Sequence, residues 1–548
     1  MHMKTAPILT LIKKYHLYLL FFVLLLIGFA HNLGTSLWDQ DEAAYAGFAR
    51  NMINSGNWLV PDFMWSDIHR KTPLHFWNIA ISYKLFGVNE FSVRFPATMS
   101  ILATYWLIFF WGKKFFGRDV ALTGTIVLST TLLVPAMGKI SVTDGTLLLL
   151  STACAFSVME ILRQKSLKAV LVFWASFALA LLVKGPPVII FTGGLAFLLV
   201  IFHPNRKNLV HLHPWFYMPL ALLPLFTWGY LASLKDNGQF IDWLIDWYIV
   251  KRIHGSVLGQ SAPPGAHLVY MAASFLPYLV FFPLAVRDGV RGLFKDKGTI
   301  LFLGAWFVAG WLIYEFSRSK LPSYCLTAHV PLALLVGKRL VQYLENNTSP
   351  GKGKVITHFL IMILLSFGLA SAAYFLGLSA GIQVSAMVLG VVLAIVAFKA
   401  LSLEKPQQIL YSILGANVVF QIVLWVVLLP QVDFYKNSTR RVSDFVRENA
   451  IKESTIILGN VTGHPPSLPF YLGHTFNNII EEREFDPLMS YYREDRPVTL
   501  ILNNHQKELF LESNPSLELK EFVSFFTDRK GKANYYVLMN EKSKKQGP

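Results

Sequence analysis

Carboxylates and cations gather in a few short stretches of this chain, each next to an apolar run. In Trp38-Asp39-Gln40-Asp41-Glu42-Ala43-Ala44-Tyr45, Asp41 and Glu42 form a carboxylate pair where a helix would begin. An acidic residue at such a place accepts N–H bonds as a cap, or serves as a general base just outside an apolar span, and the two roles are compatible. His69-Arg70-Lys71-Thr72-Pro73-Leu74 follows, between Trp65 and Trp77. Arg offers a phosphate a bidentate fork and Lys a point charge, although the same cations also suit lipid headgroups. Asp144 lies in Lys139-Ile140-Ser141-Val142-Thr143-Asp144-Gly145, either as a cap or as a second working carboxylate. Lys184-Gly185-Pro186-Pro187 interrupts an apolar run, which places the lysine in a cavity or at the membrane interface. Arg252 closes Tyr248-Ile249-Val250-Lys251-Arg252, and Arg318 and Lys320 stand in Ser317-Arg318-Ser319-Lys320-Leu321-Pro322-Ser323-Tyr324. Cations at the outer end of a span oppose the usual charge bias, so they ask for a reason, and an anionic ligand supplies one. No Walker A loop, H-E-x-x-H or G-x-S-x-G occurs, so no soluble-enzyme motif intervenes and an ATP-driven machine is not expected.

The elements that must position these residues are membrane spans. The chain has 548 residues, is 54% hydrophobic and only 15% charged, and carries a formal net charge of +16. That excludes an ordinary soluble enzyme and a disordered chain, and the basicity points to membrane topology before nucleic acid. Cys154 and Cys325 are the only cysteines, so neither a disulfide framework nor a cysteine metal site is expected. With roughly 20 apolar residues per span, thirteen candidates run approximately 16–35, 95–112, 120–137, 145–162, 168–183, 186–202, 214–232, 267–286, 299–316, 322–341, 355–377, 381–401 and 408–430. The first lacks a small-residue cleavage site after it and reads as a retained anchor. A cytoplasmic N-terminus puts 21 basic against 6 acidic residues in the inner segments, as the positive-inside rule requires. An odd number of spans then exports residues 431–548. There, short apolar runs such as Thr455–Leu458 and Val498–Leu502 alternate with helix-like stretches, predicting a small α/β domain. Residues 1–430 form the membrane domain, with a long outer loop at 36–94 and a second at 233–266. Two amphipathic helices are expected in the first loop, over Asp41–Ser55 and Pro73–Phe86.

Taken in order, these pieces resemble one family. Trp38, Asp41-Glu42 and Tyr45, Ser55-Gly56-Asn57-Trp58-Leu59-Val60-Pro61, Lys71-x-Pro73, Leu85-Phe86-Gly87-Val88-Asn89-Glu90-Phe91 with Arg94, and Ser319-Lys320-Leu321-Pro322-x-Tyr324 look like the bacterial aminoarabinose transferase (ArnT-like) group. That group belongs to the protein O-mannosyltransferase-related superfamily of integral membrane glycosyltransferases. Each piece alone is weak, but the ordered set is specific. The likeness is strongest over residues 36–100 and recurs near 139–145, 184–186, 246–264 and 317–335.

The resemblance implies a GT-C fold of about 13 transmembrane helices with a periplasmic C-terminal α/β domain, in the bacterial inner membrane. It implies transfer of a sugar from a polyprenyl-phosphate carrier to an envelope acceptor: a lipid A-like glycolipid, a glycan or a protein. Asp41 and Asp144 match catalytic carboxylates. Glu42, Tyr45, Arg70, Lys71, Lys184, Arg252, Arg318, Lys320 and Tyr324 form the expected substrate- and phosphate-binding group. Two departures stand out. The family's Glu before Lys-Pro is Arg70 here, and a His of the second loop is Gln260. In aminoarabinose transferases these positions are associated with a divalent ion, and a guanidinium removes a ligand and adds repulsion, so no metal or other cofactor is expected. The family's Arg after the Asp-Glu pair is Ala44, a further departure that bears on aminoarabinose as the sugar and lipid A as the acceptor. Partners expected on this reading are the lipid-linked donor, the acceptor and membrane lipid, with no nucleic acid. Two rivals compete: a polytopic lipid or sugar transporter or flippase, which leaves the long first loop unexplained, and a scaffold whose C-terminal domain docks partners.

Overall fold

A computed structural model describes residues 16, 19–20, 22–28, 34–251, 261–317, 319–436, 438–461, 463–523 and 534–545. The chain divides into two compact units. The first comprises Met1–Leu33, Lys71–Asn78 and Arg94–Leu429, and the second comprises Gly34–Arg70, Ile79–Val93 and Pro430–Pro548.

Among the described residues, eight helices are long and apolar enough to cross a membrane, or ten if each of two bent helix pairs is one span. Of the expected first span, 16–35, residues 22–28 are described and helical, and residues 17–18, 21 and 29–33 lie outside the described residues. Thr143–Arg163 is buried almost all round, whereas Pro214–Asp236 and Ala380–Leu401 turn large apolar side chains such as Phe226, Tyr230, Val391 and Phe398 outward. A helix apolar on every side suits lipid, because it satisfies its own backbone polar groups.

Small residues set how closely these helices approach. A Cβ at Gly337 would lie 2.6 Å from the Gly124 backbone nitrogen, and one at Gly304 would lie 2.2 Å from the Gly289 carbonyl oxygen. Helix Arg118–Ser129 therefore packs on Leu326–Glu345, and Phe282–Lys295 on Thr299–Glu315, at a backbone separation that only glycine permits. Two helix breaks matter for the chemistry. Leu167–Lys184 stops at Gly185, whose φ of +71° is a left-handed conformation suited to glycine, and Pro186 opens the next helix. Arg118–Ser129 and Leu133–Lys139 meet at 65°, and the turn after Lys139 leads directly to Asp144.

The second unit contains a five-stranded sheet: β1 (Thr455–Leu458), β2 (Ile479–Glu481), β3 (Val498–Leu502), β4 (Lys520–Val523) and β5 (Asn534–Met539), in the order β2-β1-β3-β5-β4. β1 runs parallel to β2 and β3, with Ile456 opposite Ile479 and Thr499, while β5 is antiparallel to β3 and β4. Strand periodicity divides the core in two. Ile456, Leu458 and Ile501 pack against Val442, Val446, Leu468 and Leu472 from helices Ser438–Asn449 and Ser467–Leu472. Ile457, Leu500 and Leu502 pack against Leu488 and Phe510 from Phe485–Arg493 and Asn504–Ser513. A capping box starts the last of these, with Gln506 N donating to Asn503 Oδ1 and Asn503 N donating to Gln506 Oε1. The chain thus joins a polytopic helical membrane unit to a small α/β layer structure.

The first loop, counted with residues 1–430 in the sequence reading, packs mostly into this second unit. Ser36 N and Oγ donate to Asp433, Leu37 N donates to the Tyr471 hydroxyl, and Ser467 N and Oγ donate to the Asp39 carboxylate. Arg50 donates to the carbonyls of Phe470 and Gly473.

Candidate active site

Within the second unit, helix Asp41–Ser55 begins at the first carboxylate of the sequence motif. Its two acidic residues have separate tasks. Glu42 is buried, and its carboxylate accepts from Trp38 N at 2.8 Å, so it locks the helix entry. Asp41 keeps 52% of its side chain exposed. Its Oδ1 lies 2.9 Å from His69 Nδ1 and accepts from the Tyr45 hydroxyl at 3.0 Å. Tyr45 is fully buried one helical turn on, and this i,i+4 spacing lets the ring reach back to the carboxylate. For His69 to donate to a carboxylate, Nδ1 must carry the proton. Asp41 is therefore oriented from two sides and still reachable, as a general base should be.

His69 is absent from the expected site residues. It lies 28 positions from Asp41, at the end of the 3₁₀ turn Asp67–His69, and only the fold of the loop brings the two together. The one signal in the sequence was its place beside Arg70 and Lys71. Arg70 itself bridges Asp62 at 3.1 Å and Asp67 at 2.6 Å, so its charge is already balanced within the loop.

The first unit holds the remaining described candidates. Lys71 opens its segment there, half-buried, and His75 of the following helix Leu74–Phe86 sits 3.3 Å from Ser141 Oγ in the turn before Asp144. Lys184 Nζ donates to Asp144 Oδ1 at 2.8 Å, with side-chain exposures of 17% and 12%. Asp144 stands in the first turn of its helix and Lys184 in the last turn of its own, so both helix dipoles favour the charges they carry. The ammonium also lies 5.7 Å from the Tyr324 ring centroid, and the Tyr324 ring is 6.0 Å from that of Tyr314. The motif Ser319-Lys320-Leu321-Pro322-x-Tyr324 thus brings Tyr324 to the Asp144–Lys184 pair.

Lys320 takes a different direction from the one its sequence position suggests. Buried, it donates to the carbonyls of Tyr314 at 3.2 Å and Glu315 at 2.6 Å, and lies 3.5 Å from Glu315 Oε2. It caps the C-terminus of Thr299–Glu315, where a cation satisfies carbonyls that have no intrahelical partner. The Glu315 carboxylate accepts from Gly265 N, Leu268 N and Trp311 Nε1, and lies 3.7 Å from buried His267. Arg252, Gln260 and Arg318 lie outside the described residues.

The helical framework carrying these groups is that of known proteins. The chain aligns with a crystal structure of ArnT from Cupriavidus metallidurans bound to undecaprenyl phosphate at a TM-score of 0.75 and 19% identity, covering 95% of this chain and 98% of that one. The chain shares the fold of that ArnT. An archaeal oligosaccharyltransferase, AglB from Archaeoglobus fulgidus, is a more distant match at TM-score 0.50 and 10% identity, covering 89% of this chain and 70% of that one. Residues 70–230 match the dolichyl-phosphate-mannose-protein mannosyltransferase family. Among sequence relatives, the undecaprenyl phosphate-alpha-4-amino-4-deoxy-L-arabinose arabinosyl transferase of Enterobacter sp. (strain 638) is 29% identical over 56% of each chain. The corresponding protein of Edwardsiella ictaluri (strain 93-146) is 26% identical over 61% of this chain and 60% of its own length. The chain therefore matches little more than half the length of these relatives. It is a multi-pass membrane protein, and the departure at Arg70 falls inside the family match.

Proposed function

We propose that this protein is a glycosyltransferase that moves a sugar from a polyprenyl-phosphate carrier to an envelope acceptor at the periplasmic face of the bacterial inner membrane. The names of the Enterobacter and Edwardsiella relatives, both undecaprenyl-phosphate sugar transferases, support this reading. The observation that carries it is the Asp41 carboxylate, oriented by His69 and Tyr45 and open to an incoming group.

Asp41 takes the proton of an acceptor hydroxyl as that oxygen attacks the anomeric carbon from the side opposite the phosphate, inverting the centre. The bond from the anomeric carbon to the phosphate oxygen breaks, and the carrier leaves with one more negative charge. Lys71, Lys184, Arg252 and Arg318 are the cations that the family resemblance assigns to that developing charge, and Asp144 holds Lys184 in place. Lys320 acts at one remove, by ordering the end of the helix next to Tyr324. The sugar is a hexose or a pentose, and the acceptor is a glycolipid, glycan or protein.

Arg70 sits where the family has a metal-associated Glu and is paired with Asp62 and Asp67, so the residues present do not fit a divalent ion there. The N-terminus lies in the cytoplasm on this reading, with the C-terminal unit outside. The deciding experiment uses membranes bearing the full chain or Asp41→Asn and a radiolabelled lipid-linked sugar. Label retained on an acceptor only with Asp41 supports transfer. Label crossing a vesicle wall without a covalent product would make the protein a transporter.

A further inference from the structure

A polar cavity of about 380 Å³ opens in the helical unit, away from the Asp144–Lys184 pair. Its cationic lining comes from two helices, Arg291 and Lys295 on Phe282–Lys295 and Lys338 and Arg339 on Leu326–Glu345, with Ile300 of Thr299–Glu315 beside them. Ile300 lies fifteen residues before Glu315 on one helix, so at 1.5 Å per residue the cavity is roughly 20 Å from the cluster of Glu315, Lys320 and Tyr324. It is a separate place with separate chemistry.

Four cations share this lining with two carboxylates, and both carboxylates are engaged. Arg287 and Arg339 pair with Asp288, and Asp296 Oδ1 accepts from Gly298 N at 2.6 Å. Among the described residues, Arg291, Lys295 and Lys338 have no ion pair, and the buried Arg339 Nε has no hydrogen-bond acceptor. Convergent cations repel one another, and a buried N–H without an acceptor is costly, so the arrangement favours an anion that relieves both. The floor is fixed too. Gly292 lines the cavity, and a Cβ there would lie 2.3 Å from Ile300 Cγ2. Beside the cations is an apolar shelf: Phe294 is 65% exposed, and its ring is 5.2 Å from that of Phe202. A cationic cavity next to exposed aromatic surface matches a molecule with a phosphate at one end and an acyl chain at the other.

We propose that this cavity binds a phosphate-bearing anion, presented as the headgroup of an anionic phospholipid in the leaflet opposite the Asp144–Lys184 cluster. The full-length protein would be stripped of lipid in detergent and titrated with phosphatidylglycerol, phosphatidylcholine or inorganic phosphate. Bound lipid is counted by native mass spectrometry and the unfolding midpoint is followed in parallel. Phosphatidylglycerol is expected to be retained at one molecule per chain and to raise the midpoint, with phosphatidylcholine doing neither. Arg291→Ala with Lys338→Ala should cut phosphatidylglycerol occupancy at least fivefold, while Lys399→Ala with Lys405→Ala, the same charge change elsewhere, should leave it unchanged. Inorganic phosphate alone raising the midpoint as far as the lipid does would keep the site and make its source soluble. Equal loss in both double variants, or no loss in the first, would overturn the proposal. Should Arg291→Ala with Lys338→Ala fail to fold, Lys338→Gln alone serves, with a smaller loss of the same kind expected.

Discussion

Asp41 keeps half of its side-chain surface open and is steadied by contacts from His69 and Tyr45, whereas Asp144 is nearly enclosed and faces the Lys184 ammonium. Both open a helix, and both were read from sequence as a cap or a catalytic group. Burial separates them. An exposed carboxylate with fixed orientation can accept a proton at little cost to the fold. An enclosed carboxylate paired with an ammonium is part of what keeps its helix ends together, because breaking such a pair leaves an uncompensated charge. The first is suited to moving a proton, the second to holding a cation ready for a phosphate.

Substitutions can break or sharpen that contrast. The largest expected effect is Asp41→Asn, which should lower sugar transfer about a thousandfold, within the range for loss of a general base, while the unfolding midpoint stays near that of the parent. A normal turnover rate with radiolabelled donor would remove Asp41 from the chemistry. Lys184→Met should act first on stability, at about 3 kcal/mol or more for a broken buried pair, measured by thermal unfolding in detergent. Adding Asp144→Asn should restore most of that stability and none of the transfer; a double variant as unstable as the single one would show that the pair is not the unit. His69→Ala should reduce kcat about tenfold with KM little changed, if it positions Asp41 and touches no substrate. His69→Asn, which keeps a side-chain N–H donor, should recover part of the loss, and a change confined to KM would recast His69 as a substrate contact. The smallest effect belongs to Arg70→Ala, whose half-exposed bridges to Asp62 and Asp67 are worth about 1 kcal/mol or less. A chelator should leave transfer unchanged in both the parent and this variant, as assayed on one batch of membranes.

How far the site could be read in advance differs residue by residue. Asp144 and Lys184 were marked by position alone, since each abuts an apolar run and a Gly-Pro break ends the helix at Lys184. Their 2.8 Å contact spans forty residues and follows from how two helices pack. Lys320 shows the opposite case. Its place at the outer end of a span suggested an anion ligand, but the ammonium bonds the last carbonyls of the preceding helix, Thr299–Glu315. His69 was passed over because a lone histidine in a basic cluster has no periodic signature, and its partner is remote in sequence.

By itself, the sequence determined that this is a polytopic helical membrane protein with a small α/β unit after it. Runs of roughly 20 apolar residues have few stable alternatives in lipid, and alternating short strands and helices must bury both faces of a sheet. It also supplied the ordered motifs that resemble the ArnT-like proteins. The tertiary structure decided which carboxylate stays open, which cation is already bonded, and that most of the first loop packs with the C-terminal residues through Ser36–Asp433, Leu37–Tyr471 and Asp39–Ser467. Span positions follow from local hydrophobicity summed along the chain. The environment of a single charge depends on contacts between residues far apart in sequence, which no local pattern encodes.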